Sequence, residues 1–281
     1  MKIVKGQTAL ITGASMGIGV YIAKALAEMG MNMVLAARSS ENLELIRQDI
    51  ESMGVRAIAV PTDVSDHGAL KRLVKQANDV FGRIDVLVNN AGIETIADYD
   101  VLTQTEIDQV IQVNLIAPMA LTRLVFPDML RRNSGHVVNI SSVAGILPTA
   151  FNESYAASKY GLVGFTRSLR LTSQEKSSSV SASVICPGFI DDAGMYEDMK
   201  RNYRVKAPWF IGSLPAHKVA DAVKKSIERD LPNIIVMRGF PRLIMCLSII
   251  VPRILERIAV RHGFFRVFRN VAQQRGTQRN T

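Results

Sequence analysis

A chain of 281 residues, 48% hydrophobic and 21% charged, can bury one large α/β core, and this composition excludes an intrinsically disordered protein. The net charge of +9 sits almost wholly at the C-terminus, where Glu256 is the one acid among nine arginines between Arg238 and Thr281, so residues 1–237 are nearly neutral. Basicity therefore bears on the partners of the tail, not on those of the main body.

Met1 to Gly6 carry two lysines and no apolar h-region, so a cytoplasmic protein without a secretory signal is expected. Apolar, β-rich runs then recur at Thr8–Thr12, Asn32–Ala36, Ala57–Val60, Val86–Asn89, His136–Ile140, Val180–Ile185 and Ile234–Met237. Their continuous rather than alternating hydrophobicity marks strands covered on both faces. The intervening segments Ile18–Met29, Glu41–Met53, Asp66–Phe81, Thr105–Arg131, Ser154–Thr172 and Pro215–Arg229 have helical spacing and the length of crossovers. The alternation predicts an α/β fold, a doubly wound (Rossmann) sheet of seven parallel strands flanked by helices. Residues 1–237 read as one domain and 238–281 as a C-terminal extension. Pro118 and Pro127 fall inside one predicted helix and predict a kink or break there.

Between the first strand and its helix runs Thr12-Gly13-Ala14-Ser15-Met16-Gly17-Ile18-Gly19. Glycines allow a tight turn and close approach to a pyrophosphate, and a helix N-terminus offers free N–H groups to the anion; a turn needing only positive φ is the plain alternative. About 20 residues after such glycines an NAD-binding domain places an acid for the ribose 2′-hydroxyl. Here that stretch reads Ala36-Ala37-Arg38-Ser39-Ser40, a guanidinium and hydroxyls suited to a 2′-phosphate, so NADP(H) is expected in preference to NAD(H). The alternative is a solvated Arg38 ahead of a helix. Asp63 and Val64, after the third strand, are placed to touch an adenine, although an Asp there also suits a turn or cap.

The chemistry gathers at Tyr155 and Lys159, four apart on one predicted helix, with Ser142 thirteen residues upstream of the tyrosine. An ammonium near a phenol favours its ionised form, and a phenol with a pKa of about 10 needs such help to act as a base at neutral pH. Cys186 and Cys246 lie in apolar runs and read as small buried hydrophobes in a reducing compartment. His67, His136, His217 and His262 have no metal-ligand spacing, and no metal is expected.

In order and spacing, T-G-A-S-M-G-I-G (Thr12–Gly19), N-N-A-G (Asn89–Gly92), V-N (Val113, Asn114), I-S-S (Ile140–Ser142), Y-A-A-S-K (Tyr155–Lys159) and P-G (Pro187, Gly188) resemble the short-chain dehydrogenase/reductase family. The resemblance covers Lys5 to Met237. It implies a catalytic tetrad of Asn114, Ser142, Tyr155 and Lys159: Tyr155 the acid/base, Lys159 on the nicotinamide ribose while lowering the tyrosine's pKa, and Asn114 holding a kinked helix and a proton-relay water. It implies cofactor contacts at Gly13, Ser15, Met16, Gly17, Ile18, Gly19, Arg38, Ser39, Asp63, Val64, Asn90, Ala91, Gly92, Tyr155, Lys159, Pro187, Gly188 and Ile190. It also implies a homodimer or homotetramer through Thr105–Arg131 and Ser154–Thr172. One departure stands out: four residues beyond Gly188 the family commonly has a threonine for the nicotinamide carboxamide, and this chain has Asp192.

From Phe189 to Pro215 the family folds a lid, and Met195, Tyr196, Met199, Tyr203, Trp209, Phe210 and Ile211 there suit either a large apolar substrate or packing beneath the lid. The extension resembles, loosely, those of steroid- or lipid-active members. Nine uncharged residues between Arg242 and Pro252 are too few to span a bilayer, for which roughly 20 are needed. Arg253–Arg261 places arginines on one face and aliphatics on another, the pattern of peripheral contact with anionic membrane; packing over the cleft or on a neighbouring subunit is the alternative, and nucleic acid is not expected. The expected activity is NADP(H)-dependent interconversion of a ketone and a secondary alcohol on a hydrophobic, steroid- or lipid-like substrate. The alternatives are a 3-oxoacyl-carrier or CoA thioester reductase and, because of Asp192, a non-enzymatic cofactor-binding scaffold.

Overall fold

The structure, a computed structural model, describes residues 5–208, 211–239 and 241–279; Trp209 and Phe210 lie outside the described residues. Seven parallel strands, β1 (Thr8–Thr12), β2 (Asn32–Ala37), β3 (Ala57–Pro61), β4 (Val86–Asn89), β5 (His136–Ile140), β6 (Ser181–Pro187) and β7 (Asn233–Val236), form one sheet in the order β3-β2-β1-β4-β5-β6-β7. The order reverses between β1 and β4, and a crevice opens beyond the C-terminal ends of the strands there.

The crossovers are α1 (Ile18–Glu28), α2 (Ser40–Glu51), α3 (His67–Phe81), α4 (Gln104–Ile111), α5 (Ala117–Arg131) and α6 (Glu153–Glu175), followed by α7 (Met195–Tyr203) and α8 (His217–Glu228). Both faces of the sheet are covered, which is why the strands are hydrophobic throughout. In β1, Ala9 and Ile11 join the layer with Ile22 and Leu26 of α1, while Leu10 joins Leu70 and Leu73 of α3 on the other face. Each fully buried Leu or Ile here contributes about 1.5–3 kcal/mol of hydrophobic stabilisation.

The predicted helix Thr105–Arg131 is interrupted, but by widening rather than by breaking. Residues Gln112–Ile116 form a π-turn, closed by the Ala117 N–H on the Gln112 carbonyl five residues back. In an α-helix the N–H of residue 118 would bond the Asn114 carbonyl, and Pro118 has none to give. Pro127 stays inside a continuous α5. The extension forms α9 (Pro241–Ile250), α10 (Pro252–Arg261) and α11 (Arg266–Arg279). Cys186 is buried as expected, whereas Cys246 is exposed on α9, because that helix turns an apolar face outward.

At the N-terminal edge of the sheet, far from the crevice, Asp85 is fully buried. It accepts the Thr8 N–H (2.9 Å) and pairs with Arg83 (2.7 Å) and Arg132 (3.4 Å). Asp85→Ala leaves the Thr8 donor and two guanidinium groups without their shared acceptor. A stability loss of about 3 kcal/mol in urea unfolding is expected, with turnover per folded molecule unchanged; a loss below about 1 kcal/mol would mean the solvent contact of Arg83 compensates for the missing carboxylate.

Candidate active site

The crevice is built where β1 and β4 are laced together. Thr12 Oγ1 accepts the N–H groups of Asn90 (3.0 Å) and Ala91 (3.1 Å), and Asn90 Nδ2 donates to the carbonyls of Thr12 (3.0 Å) and Gly13 (3.1 Å). Asn90 thus holds the glycine-rich turn against the end of the central strand. Gly19 must be glycine, since a Cβ there would stand 2.1 Å from the Gly13 carbonyl oxygen; Gly17 adopts φ +62, which favours glycine.

A cleft of about 950 Å³ runs along these ends, and of the residues predicted from sequence all line it except Gly19 and Asn114. Gly19 acts behind the turn, through helix packing. Asn114 is fully buried: its Oδ1 accepts the Ile93 N–H (2.9 Å), and its Nδ2 donates to the Ile93 carbonyl (2.8 Å) and to Ser158 Oγ (3.1 Å). The π-turn thereby clamps the loop after Gly92.

Ser142, two residues beyond β5, caps a one-turn 3₁₀ helix, Val143–Gly145, its Oγ accepting the Ala144 N–H (3.1 Å). That turn presses on α6, where Ser141 Oγ donates to the Lys159 carbonyl (3.0 Å) and a Cβ on Gly145 would come within 2.7 Å of the same oxygen. This contact fixes how far α6 projects Tyr155 and Lys159, both buried, into the cleft. Lys159 Nζ donates to the Ile140 carbonyl (3.0 Å) and lies 5.5 Å from the centre of the Tyr155 ring, and Tyr155 shares a hydrogen bond with Ser142.

The electrostatics correct one expectation. Burial lowers the Lys159 ammonium to about 8, with Cys186 and Glu94 opposing the fall. Burial also raises the Tyr155 phenol above its ordinary value, and the charge of Glu94 raises it further, against the Ser142 hydrogen bond. The protein alone therefore does not make this phenol acidic. Desolvation outweighs a lysine whose nearest polar partner is a backbone carbonyl.

Glu94, two residues after Gly92, escaped the sequence reading. It keeps some solvent contact, yet burial of its carboxyl raises it to about 7, against a hydrogen bond from Asn152 Nδ2 and the charges of Lys159 and Arg275. The only signal in the sequence was an acid beside the N-N-A-G run.

The residues present suit a dinucleotide. The α1 N-terminus has neither a side-chain cap nor an acid in its first turn, leaving its N–H groups for a phosphate. Arg38 is exposed at the cleft rim, where its charge reaches the Asp63 carboxylate, although among the described residues no carboxylate lies in ion-pair contact with it. Ser39 caps α2, accepting the Asn42 N–H (3.4 Å). Asp63 lines the cleft and also closes a turn, taking the N–H (2.9 Å) and hydroxyl (2.7 Å) of Ser65. Asp192 is not in the cleft lining: it accepts the Ala216 N–H (2.7 Å) at the start of α8, while Asp191 pairs with Lys200 (2.7 Å). That carboxylate is thus employed in anchoring the start of α8 and does not face the cleft.

Comparison with known proteins agrees with this geometry. Residues 7–204 match the short chain dehydrogenase family. The chain is 40% identical over 263 residues to the ketoacyl reductase HetN of Nostoc sp., covering 92% of this chain and 90% of that one. It is 32% identical over 251 residues to the 15-hydroxyprostaglandin dehydrogenase [NAD(+)] of Mus musculus, covering 84% and 90%. Its fold superposes on an actinorhodin polyketide ketoreductase crystallised with NADPH, with a TM-score of 0.76, 28% identity and coverage of 84% and 97%. The chain belongs to the short-chain dehydrogenase/reductase family and is an NAD(P)-dependent oxidoreductase.

With Lys159 losing its proton near 8, kcat/KM for carbonyl reduction is expected to fall above that pH. Glu94 holds the ammonium up, so Glu94→Gln should move the basic limb to lower pH; a limb left in place in the pH–rate profile would remove Glu94 from the electrostatics of the site.

Proposed function

We propose that this chain is an NADP(H)-dependent reductase that converts a ketone on an apolar, lipid-like molecule to a secondary alcohol, with alcohol oxidation as the same path reversed. The observation that carries the reading is the apolar collar around Tyr155, where Ile93, Val110, Ala144 and Met195 pack about the phenol. A carbon skeleton meets hydrocarbon there, while the carbonyl oxygen meets the hydroxyls of Ser142 and Tyr155. Much of the lid's aromatic content serves packing: Phe189 is tilted against Tyr196 (4.8 Å) and stacked on Phe268 (6.0 Å), and Met199 is buried with them.

Held along the glycine-rich turn, Arg38 and Lys159, NADPH would supply a hydride to a carbonyl carbon. As negative charge grows on the carbonyl oxygen, the Ser142 and Tyr155 O–H groups donate to it, and Tyr155 then yields its proton. The burial that raises the phenol keeps it protonated until that moment. Lys159, pinned on the Ile140 carbonyl, would bind the ribose hydroxyls, and Asn114 keeps the neighbouring Ile93 backbone in position.

Arg38 and Ser39, with no acid from Ala36 to Ser40, support the phosphorylated cofactor. The 40% identity to a ketoacyl reductase supports a second reading, reduction of a 3-oxoacyl thioester. Exposed Ile116, Met119, Tyr160 and Leu171 on α5, α6 and the preceding turn support oligomerisation through those helices.

With NADPH, turnover of steroid and lipid ketones is expected, and turnover of acetoacetyl thioesters alone would replace the first reading by the second. Tyr155→Phe should lower kcat about 10³-fold while NADPH binding persists. Arg38→Asp should raise KM for NADPH by about one to two orders of magnitude and leave KM for NADH nearly unchanged. An unaltered ratio of the two would discard the NADP preference.

A further inference from the structure

The C-terminal extension divides into a part that is packed and a part that is not. Helix α11 belongs to the body: Val267, Phe268, Val271 and Ala272 are buried with Ile96, Tyr196 and Met199, and Arg275 donates to the Ile96 carbonyl (3.2 Å). Helices α9 and α10 pack on each other and turn their aliphatic side chains outward. On α9 the exposed Leu243, Cys246, Leu247 and Ile250 recur at i, i+3, i+4 and i+7, a single stripe, with Ile249 beside it. Ile249 and Ile250 are 75% and 73% exposed, and on α10 Ile254, Ile258 and Val260 are 56%, 49% and 59% exposed. Single exposed aliphatics are ordinary on a protein surface, but a run of them on one hairpin is not.

The charges around the hairpin select its occupant. Arg253, Arg257 and Arg261 recur every four residues along α10, all exposed, and Glu256 is the one acid of the extension. A second copy of the chain would bring its own arginines against these. A neutral apolar partner would leave them without counter-charge. An anionic bilayer supplies both an apolar layer for the stripe and negative headgroups for the guanidinium groups. Neither ten-residue helix can span a membrane, so any bilayer contact of this hairpin would be interfacial.

We propose that the α9–α10 hairpin docks this protein on anionic lipid bilayers, with the isoleucine- and leucine-rich face immersed and the α10 arginines among the headgroups. Through Gly263 and the Phe264–Phe265 pair the hairpin runs directly into α11, which packs on the lid helix α7. Docking therefore brings the membrane to the helix pair beside the cleft, where an apolar substrate would enter. The docking stands on the hairpin alone; only its link to substrate supply rests on the proposed function.

The test is flotation of the full-length protein with vesicles of phosphatidylcholine alone or with added phosphatidylserine, across a salt series. Wild type should float with the anionic vesicles, less so as salt rises, and Ile249→Glu/Ile250→Glu should reduce the bound fraction at least about tenfold. Arg253→Gln/Arg257→Gln/Arg261→Gln should abolish the preference for anionic lipid, and it keeps the test decisive if the first variant fails to fold. Turnover of a water-soluble ketone should match wild type in both. Wild type that stays at the bottom of the gradient, equal binding to both vesicles, or variants that change only the oligomeric state would overturn the proposal, the last in favour of self-association. Vesicle binding without turnover of any apolar ketone would leave the docking intact and remove the substrate reading instead.

Discussion

Keeping an amine and a phenol out of water side by side is the constraint from which the rest of the site follows. Desolvation pushes each toward its neutral form, the ammonium down and the phenol up, so the protein must spend backbone groups and packing to hold the pair. Lys159 is given the Ile140 carbonyl. Gly92 leaves room for Asn114, since a Cβ there would lie a tight 3.2 Å from Asn114 Oδ1. Asn114 in turn spends its amide on Ile93 and Ser158, and the π-turn that carries it follows from a proline with no N–H to return. The residues named by the family motifs thus form a frame that presents the Ser142 and Tyr155 side chains to the cleft.

Much of this frame was legible in the sequence because its causes are local. Strands buried on both faces must be hydrophobic throughout, so β1 to β7 declared themselves, and the glycine-rich turn and the Tyr155–Lys159 pair carry spacings that only a strand–turn–helix and a helix face can use. What was not legible depends on partners distant in the chain. Pro118 signalled irregularity, but not that one extra residue would be looped into a π-turn. Asp192 looked like a hazard to the cofactor because its acceptor role toward the Ala216 N–H, 24 residues on, has no signature in composition or periodicity. The direction in which Tyr155 shifts is hidden for a similar reason: helical spacing reveals that a cation is near, whereas burial, which decides the sign, is a property of the assembled core.

The extension shows how one sequence pattern can serve two ends. Its aliphatic and basic residues read uniformly as amphipathic, and lid or membrane contact were alternatives for the whole segment. In the fold the division falls at Gly263, whose φ of +70 lets the chain turn from the outward-facing hairpin into α11. Phe268 and Val271 beyond the turn find the apolar surface of α7, while Ile254 and Ile258 before it find none. Periodicity revealed that a face existed but not what it would meet.

That division also ties the extension to the chemistry. Arg275 of α11 bonds the loop after β4 at Ile96 and lies 3.9 Å from Glu106, and its charge acts on Glu94, which in turn raises both Tyr155 and Lys159. The guanidinium lowers the Glu94 carboxyl, increasing the share of molecules in which Glu94 is charged near neutral pH, and a charged Glu94 holds the amine protonated and the phenol neutral. Both effects favour a proton donor over a base. Arg275 is the least of the influences on that carboxyl, behind burial, Asn152 and Lys159, so the seating of the tail adds only a small bias to the protonation of the Tyr155–Lys159 pair.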